Sequence, residues 1–167
     1  MKKKYALSFF VIIFVGILLD QITKQLAING LKDSSKFYFG QRLGFELTSN
    51  SGSAFSLFEG LTIFITIIAI SVVLYIIIYY PKCKSKIMRT GLSFIIAGAL
   101  GNIIDRFIRT PFYGKGHVVD FLVLWQWPTF NIADMFVSVG VIVAIFASYK
   151  DRKILDERHS AKSIETS

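Results

Sequence analysis

The sequence predicts an all-α integral membrane protein, with four transmembrane helices and a small extracytoplasmic β-rich element between the first and the second. Three observations point to it. More than half of the 167 residues are apolar and only 18% are charged, a composition suited to lipid rather than water. Four apolar runs, at about 5–28, 61–80, 87–108 and 132–149, approach or exceed the ~20 residues that a helix needs to cross a hydrocarbon core of about 30 Å. The formal charge of +8 is gathered at alternate ends of these runs: Lys2, Lys3 and Lys4 before the first, Lys82, Lys84, Lys86 and Arg89 between the second and third, and Lys150, Arg152 and Lys153 after the fourth. Basic residues collect on the cytoplasmic side, so both termini and the loop around Lys84 are expected there. This pattern fits a surface facing anionic lipid, not nucleic acid. One domain, 1–167, is expected, with 150–167 as a cytoplasmic tail.

The first run, 5–19, is apolar without a break, and its helix extends to Ile28. A cleaved signal peptide would be shorter and followed by small residues; this run is long and leads into Asp20 and Lys24. Gly16, Asp20 and Lys24 recur every four residues and share a helix face. They read either as an ion pair that fixes the helix end or as part of a binding site. The stretch 31–60 lacks helical periodicity, and the alternations Phe37, Phe39 and Phe45, Leu47 predict short strands on the outer surface. Within it TSNSGSAF, residues 48–55, places Asn50 and Gly52 in a turn, with the Asn50 amide available to a peptide.

The second run carries no charge and ends at Pro81 beside lysines. The third contains AGALGNIIDR, residues 97–106. Ala97 and Gly101 form a small-xxx-small pair suited to close helix packing, and Asn102 and Arg106 share a face one turn apart. Asp105 and Arg106 are expected to cap and orient the helix end. Pro111, Gly114 and Gly116 then break the chain outside the membrane. Residues 117–127 are too few to span and too apolar for water, so they are expected at the interface, where Trp125 and Trp127 belong. Asn131, Asp134 and Ser138 form a polar stripe at the start of the fourth helix. The tail, mixed in charge and poor in apolar residues, is expected to be frayed or disordered.

Alternating directions bring Asp20, Lys24, Asn102, Arg106, Asp120, Asn131 and Asp134 to one level, the outer surface. Ionisable groups there are costly and mark function. Lys24 and Arg106 have Asp20 and Asp105 as local partners, which leaves Asp120 and Asp134 over. Two aspartates that share a proton can hydrolyse an amide: the ionised one takes a proton from water, while the protonated one supports the carbonyl oxygen and later protonates the leaving amine. Asp134, at a helix N-terminus, is expected to be the ionised partner and Asp120, in an apolar strand-like segment, the protonated one. Cys83 is alone and His117 and His159 lie far apart, so no metal-ligand cluster is present in the sequence.

The motifs LDQITK (Asp20, Lys24), NSGSAF (Asn50, Gly52), GNIIDR (Asn102, Arg106), VVDF (Asp120) and FNIAD (Asn131, Asp134) run in this order over nearly the whole chain. Together they resemble those of lipoprotein signal peptidase, or signal peptidase II. The resemblance implies a four-helix membrane aspartyl endopeptidase that cuts the signal peptide from bacterial prolipoproteins, immediately before a cysteine already modified with diacylglycerol. It implies Asp120 and Asp134 as the catalytic pair, and Asp20, Lys24, Asn50, Gly52, Asn102, Arg106 and Asn131 as supporting or substrate-binding residues. No cofactor or metal is implied. The partners are lipid-modified prolipoproteins and membrane lipids, and the protein acts as a monomer in the bacterial cytoplasmic membrane with its site at the extracytoplasmic surface. Two departures stand out: Ser53 occupies a position where the family motif has alanine, and the segment between the two aspartates is a few positions shorter than in a familiar form of the family. The alternative is a small proton-coupled membrane transporter with interfacial carboxylates. That would need titratable groups through the membrane, whereas the second run has none and the others hold theirs at one end.

Overall fold

The computed structural model of the chain describes residues 3–32, 34–40, 42–50, 62–109 and 116–165, with side chains for those between 7 and 154. Its elements are helix α1 (Lys3–Leu31), strands β1 (Lys36–Tyr38) and β2 (Leu43–Asn50), helices α2 (Thr62–Tyr79) and α3 (Lys86–Ile108), strand β3 (Val118–Leu124) and helix α4 (Ile132–Glu165). All four helices are long and apolar enough to cross a membrane. In hydrocarbon a backbone must satisfy its own hydrogen bonds, and an α-helix does so within one segment. Residues 51–61 and 110–115 lie outside the described set, and with them Gly52 and Ser53.

The helices are dressed inside out. Phe10, Phe14, Ile67, Ile78, Ile142 and Ile145 face outwards, while Asp20, Lys24, Asp105, Asp120 and Asn131 are buried. Such an arrangement suits a lipid solvent. Helix α3 is the central post and packs against the other three. Toward α2 it contributes Leu92, Ile96 and Ala99 to an apolar cluster with Val73, Ile76 and Tyr80. Toward α1 and α4 it uses small residues, as lipid-embedded helices must when packing replaces the hydrophobic effect. Ala97 is fully buried, with Gly16 of α1 opposite it. At Gly98 a Cβ would collide with the carbonyl of Ala133 and lie 2.9 Å from the amide of Val137, so only glycine allows α4 this close. Gly101 plays the same part for a side chain: a Cβ there would sit 2.6 Å from Asp20 Oδ2.

The expected β-rich element between α1 and α2 is present as the hairpin β1–β2, and it gains a third strand from beyond α3. The sheet is antiparallel in the order β1-β2-β3. Thr48 pairs with Asp120 and Asn50 with Val118, while nearer the hairpin turn Phe45 pairs with Leu122 and Leu43 with Leu124. Between Phe45 and Thr48 strand β2 advances three residues while β3 advances two, the count of a β-bulge, which bends β2 and re-aims its last residues. The interfacial segment expected at 117–127 is thus β3 with the turn that follows it. That turn returns the chain so that Phe130 bridges Leu122, with the Leu122 amide donating to the Phe130 carbonyl at 2.8 Å.

The tail departs from expectation. Helix α4 does not fray after Tyr149 but continues to Glu165. Few apolar residues follow the membrane edge, yet positions 150–165 contain no glycine or proline and are mostly good helix formers, so the helix has no reason to stop.

Candidate active site

The site is assembled around the first turn of α4. Asn131 is its N-cap and Asp134 its third residue, and the two form a reciprocal capping box. Asn131 Oδ1 accepts from the Asp134 amide at 3.0 Å, and Asp134 Oδ2 accepts from the Asn131 amide at 3.1 Å. A helix N-terminus leaves its first N–H groups without partners. Asp20 of α1 takes one of them, accepting from the Ala133 amide at 2.9 Å.

Three asparagines spread from this turn to the second aspartate. Asn131 Nδ2 donates to Asp120 Oδ1 at 2.6 Å and to Asn102 Oδ1 at 3.2 Å. Asn102 Nδ2 donates to Asp134 Oδ1 at 2.8 Å. Asn50 Nδ2 donates to Asp120 Oδ2 at 2.8 Å. Register explains the last contact: Asn50 faces Val118, and Asp120, two residues on, projects from the same side of the sheet within diagonal reach. The Asn50 amide is therefore given to Asp120, where the sequence suggested a peptide.

Behind the asparagines lies a charge cluster shut off from solvent. Lys24, Asp20 and Asp105 are each 0% exposed. Lys24 Nζ has three donors and uses all of them: Asp20 Oδ2 at 2.8 Å, Asp105 Oδ2 at 3.0 Å and Asn102 Oδ1 at 3.0 Å. Gln21 Nε2 joins Asp20, Asp105 and the Gly101 carbonyl at 3.1–3.2 Å. Asp105 Oδ2 also accepts from the Val119 amide at 3.1 Å, which ties β3 to α3. With Lys24 and Asn131 Nδ2 both on Asn102 Oδ1, the Asn102 amide can turn only its NH2 toward Asp134.

The pairing expected between Asp105 and Arg106 is not what forms. Asp105 is held by Lys24 and, at 3.2 Å, by Arg109 Nε, an ion pair by distance that lacks hydrogen-bond alignment. Arg106 and Asp105 are adjacent in sequence and so project from different sides of α3, whereas Arg109 is one turn from Asp105 on the same face. Among the described residues Arg106 makes no salt bridge; its Nη1 donates to the Asn102 carbonyl at 3.4 Å, and its charge is felt by Asp134, Asp120 and Asp105, in that order. Gln21 and Arg109 were the supporting residues sequence reasoning missed, and Asp105 was expected only as a helix cap and partner of Arg106. The spacing of Gly101, Asp105 and Arg109 by four was the available signal.

Asp120 is 1% exposed. Burial, the largest influence, pushes its carboxyl from the usual 3.8 up to about 6; the hydrogen bond from Asn50 opposes this, the charge of Asp134 adds to it, and Asn131 and Lys24 oppose it again. Asp134 is half-buried and opens, with Asn50, into a groove of about 550 Å³ whose walls are Leu124, Trp127, Met135 and Val139. Asp134 at the polar end of an apolar groove, with the buried and raised Asp120 joined to it through Asn131, forms an arrangement able to activate water against an amide.

A family model described as signal peptidase (SPase) II matches residues 12–150. The chain belongs to the signal peptidase II family. The lipoprotein signal peptidase of Mycobacterium leprae is 42% identical over 135 residues, which is 80% of this chain and 67% of that protein. That of Clostridium novyi is 39% identical over 144 residues, 81% of this chain and 93% of the relative. A bacterial membrane enzyme solved by the in meso method at 2.3 Å resolution superposes with a TM-score of 0.73 at 30% identity, covering 87% of this chain and 89% of its own. A second, at 1.9 Å, gives a TM-score of 0.74 at 30% identity and covers 86% and 94%. Signal peptidase II enzymes are membrane aspartic endopeptidases, so the chain is a bacterial membrane protease with prolipoproteins as substrates. Nothing in the fold or the relatives supports the transporter alternative. Of the residues named from the sequence, this signal peptidase II brings Asp20, Lys24, Asn50, Asn102, Asp120, Asn131 and Asp134 into one hydrogen-bonded set with Arg106 beside it; Gly52 lies outside the described residues.

Proposed function

We propose that Asp120 and Asp134 are the catalytic pair with which this signal peptidase II cleaves prolipoproteins, and that Asp20, Lys24, Asn50, Asn102, Arg106 and Asn131 support them. The observation that carries the assignment is Asn131, which donates to both carboxylates, through its side chain to Asp120 and through its backbone to Asp134. A water between the carboxylates gives a proton to Asp134 and attacks the scissile carbonyl. Asp120, protonated, donates to the developing oxyanion and then protonates the leaving amine, so the pair ends with its proton exchanged. Arg106, which makes no salt bridge among the described residues, steadies this negative charge. The groove beside Asp134 is apolar and suits a substrate that arrives within the bilayer, its acyl chains remaining in lipid.

The single domain spans 1–167, works as a monomer, and has both termini and the 150–167 tail in the cytoplasm. The site then lies at the extracytoplasmic surface, as the lysine distribution supports. The deciding experiment incubates purified protein with a diacylglyceryl prolipoprotein and follows its mass. A loss equal to the signal peptide is expected, ending just before the lipid-modified cysteine. Folded protein that leaves the substrate intact would remove the reading.

A further inference from the structure

We propose that the end of the sheet remote from Asp120 is a membrane anchor, in which Phe39, Trp125 and Trp127 sit in the interfacial layer of the bilayer and hold the strand that bears Asp120 at a fixed height. The first observation is conformational. Among the described residues, the non-glycine positions with positive φ are Phe39 at 51° and Trp125 at 50°. That left-handed region normally falls to glycine, asparagine or aspartate, and for a bulky side chain it is an outlier. Both lie at turn tips, and the tips touch, because the Trp125 amide donates to the carbonyl of Arg42 in the turn after β1.

The strain presents rings outwards rather than packing them. Phe39 is 80% exposed, Trp125 63% and Trp127 71%. In water that would be a poor use of three aromatics. At a bilayer interface it is the preferred one, since flat amphipathic rings collect at headgroup level. Height is fixed by what the tip adjoins. Tyr38 lines a cavity with Thr23 and Leu26 of α1, Phe39 one with Met135 of α4, and Trp127 the groove with Met135 and Val139. The tip is therefore level with the outermost turns of α1 and α4, whose Leu26, Met135 and Val139 are themselves exposed and apolar. The belt is continuous from helices to sheet. Exposed Arg42 is placed to reach lipid phosphates.

The anchor and the site share strands. Leu43 pairs with Leu124 at the tip and Thr48 with Asp120 at the site, so a rigid ladder connects the two. A tip seated at a constant depth sets the depth of Asp120, and hence which bond of a bilayer-held substrate it meets; this last step rests on the proposed dyad, whereas the anchor itself does not.

The chain has two tryptophans, both in this tip, so fluorescence excited selectively in tryptophan, beyond the tyrosine absorption band, reports on this surface alone. The full chain, reconstituted in phosphatidylcholine vesicles, would be compared with lipids brominated near the glycerol end or near the methyl end of the acyl chain, and with aqueous iodide. Strong quenching by the shallow bromine, less by the deep one and little by iodide are expected. Strong iodide quenching with inert bromolipids would overturn the anchor. Phe39→Asn keeps a residue that accepts positive φ and removes the ring. It should weaken bromine quenching, raise iodide quenching, and slow cleavage several-fold in vesicles while leaving turnover in detergent unchanged. Unaltered quenching would overturn the part given to Phe39, and equal turnover in both media would overturn the height-setting role. The fluorescence needs no turnover, so it separates failure of the anchor from failure of the dyad.

Discussion

At Asn131 one side chain and its own backbone amide serve both carboxylates, so amides hold the pair in place. Asp120→Asn or Asp134→Asn replaces a group that exchanges protons with one that cannot. Each should lower the cleavage rate by roughly two orders of magnitude or more while lipopeptide binding survives. A binding isotherm and a turnover rate for each variant decide it; brisk cleavage by either would make that aspartate structural. The raised Asp120 carboxyl adds a pH dependence. If its protonated form is the one that works, kcat/KM, which reports the free enzyme, should fall as pH rises through about 6. Substrate in the groove excludes more water and favours the proton further, so the same limb in kcat should lie at higher pH. A kcat/KM profile that stays flat across that region would exclude the protonated role. Lys24 makes a different forecast. Its loss in Lys24→Met leaves Asp20 and Asp105 buried without their shared cation, at a cost of about 3–5 kcal/mol, seen as a lowered unfolding transition in detergent. Adding Asp20→Asn and Asp105→Asn should restore part of it.

At the scale of elements, the contact of α3 with α4 carries the weight, because Asn102 rides on one and Asp134 on the other. Gly98→Leu must push Ala133 and Val137 away. Overpacking of this kind costs about 1–3 kcal/mol, but the 2.8 Å bond from Asn102 to Asp134 should break first, so activity should fall further than stability does. Gly30→Ala is the control: a Cβ there meets nothing within 4 Å, and neither quantity should drop. Equal losses in both variants would mean that helix separation is not what Gly98 controls. The sheet shows where sequence stops being informative. Strand alternation in β1 and β2 was legible, but the pairing of Thr48 with Asp120 joins residues 72 apart, across a bulge that no local pattern announces.

For the molecule as a whole, the four spans were legible because lipid imposes long apolar runs, and the level of the polar residues followed from their alternating direction. Their partners were not, because side-chain direction decides them: Asp105 turns to Lys24 and Arg109, away from its neighbour Arg106, and Asn50 turns to Asp120. The tail misled because composition speaks to burial and not to helix continuity. The orientation itself is open to measurement. Reporter fusions in the loop near Lys84 and at the C-terminus should report cytoplasm, and one at Gly40 the opposite side. A cytoplasmic signal at Gly40 would invert the molecule and put the site on the wrong face.

The capping box of α4 has a thermal corollary. The hydrogen bonds that begin the helix are those that hold Asp134, and this end is no free terminus: Asn131 and Ala133 are fully buried and tied to Asp120 and Asp20. Such a turn opens only when its neighbours do, so warming should leave the first turn in place until the bundle itself opens, and the temperature at which catalysis ceases should coincide with the temperature at which the protein melts.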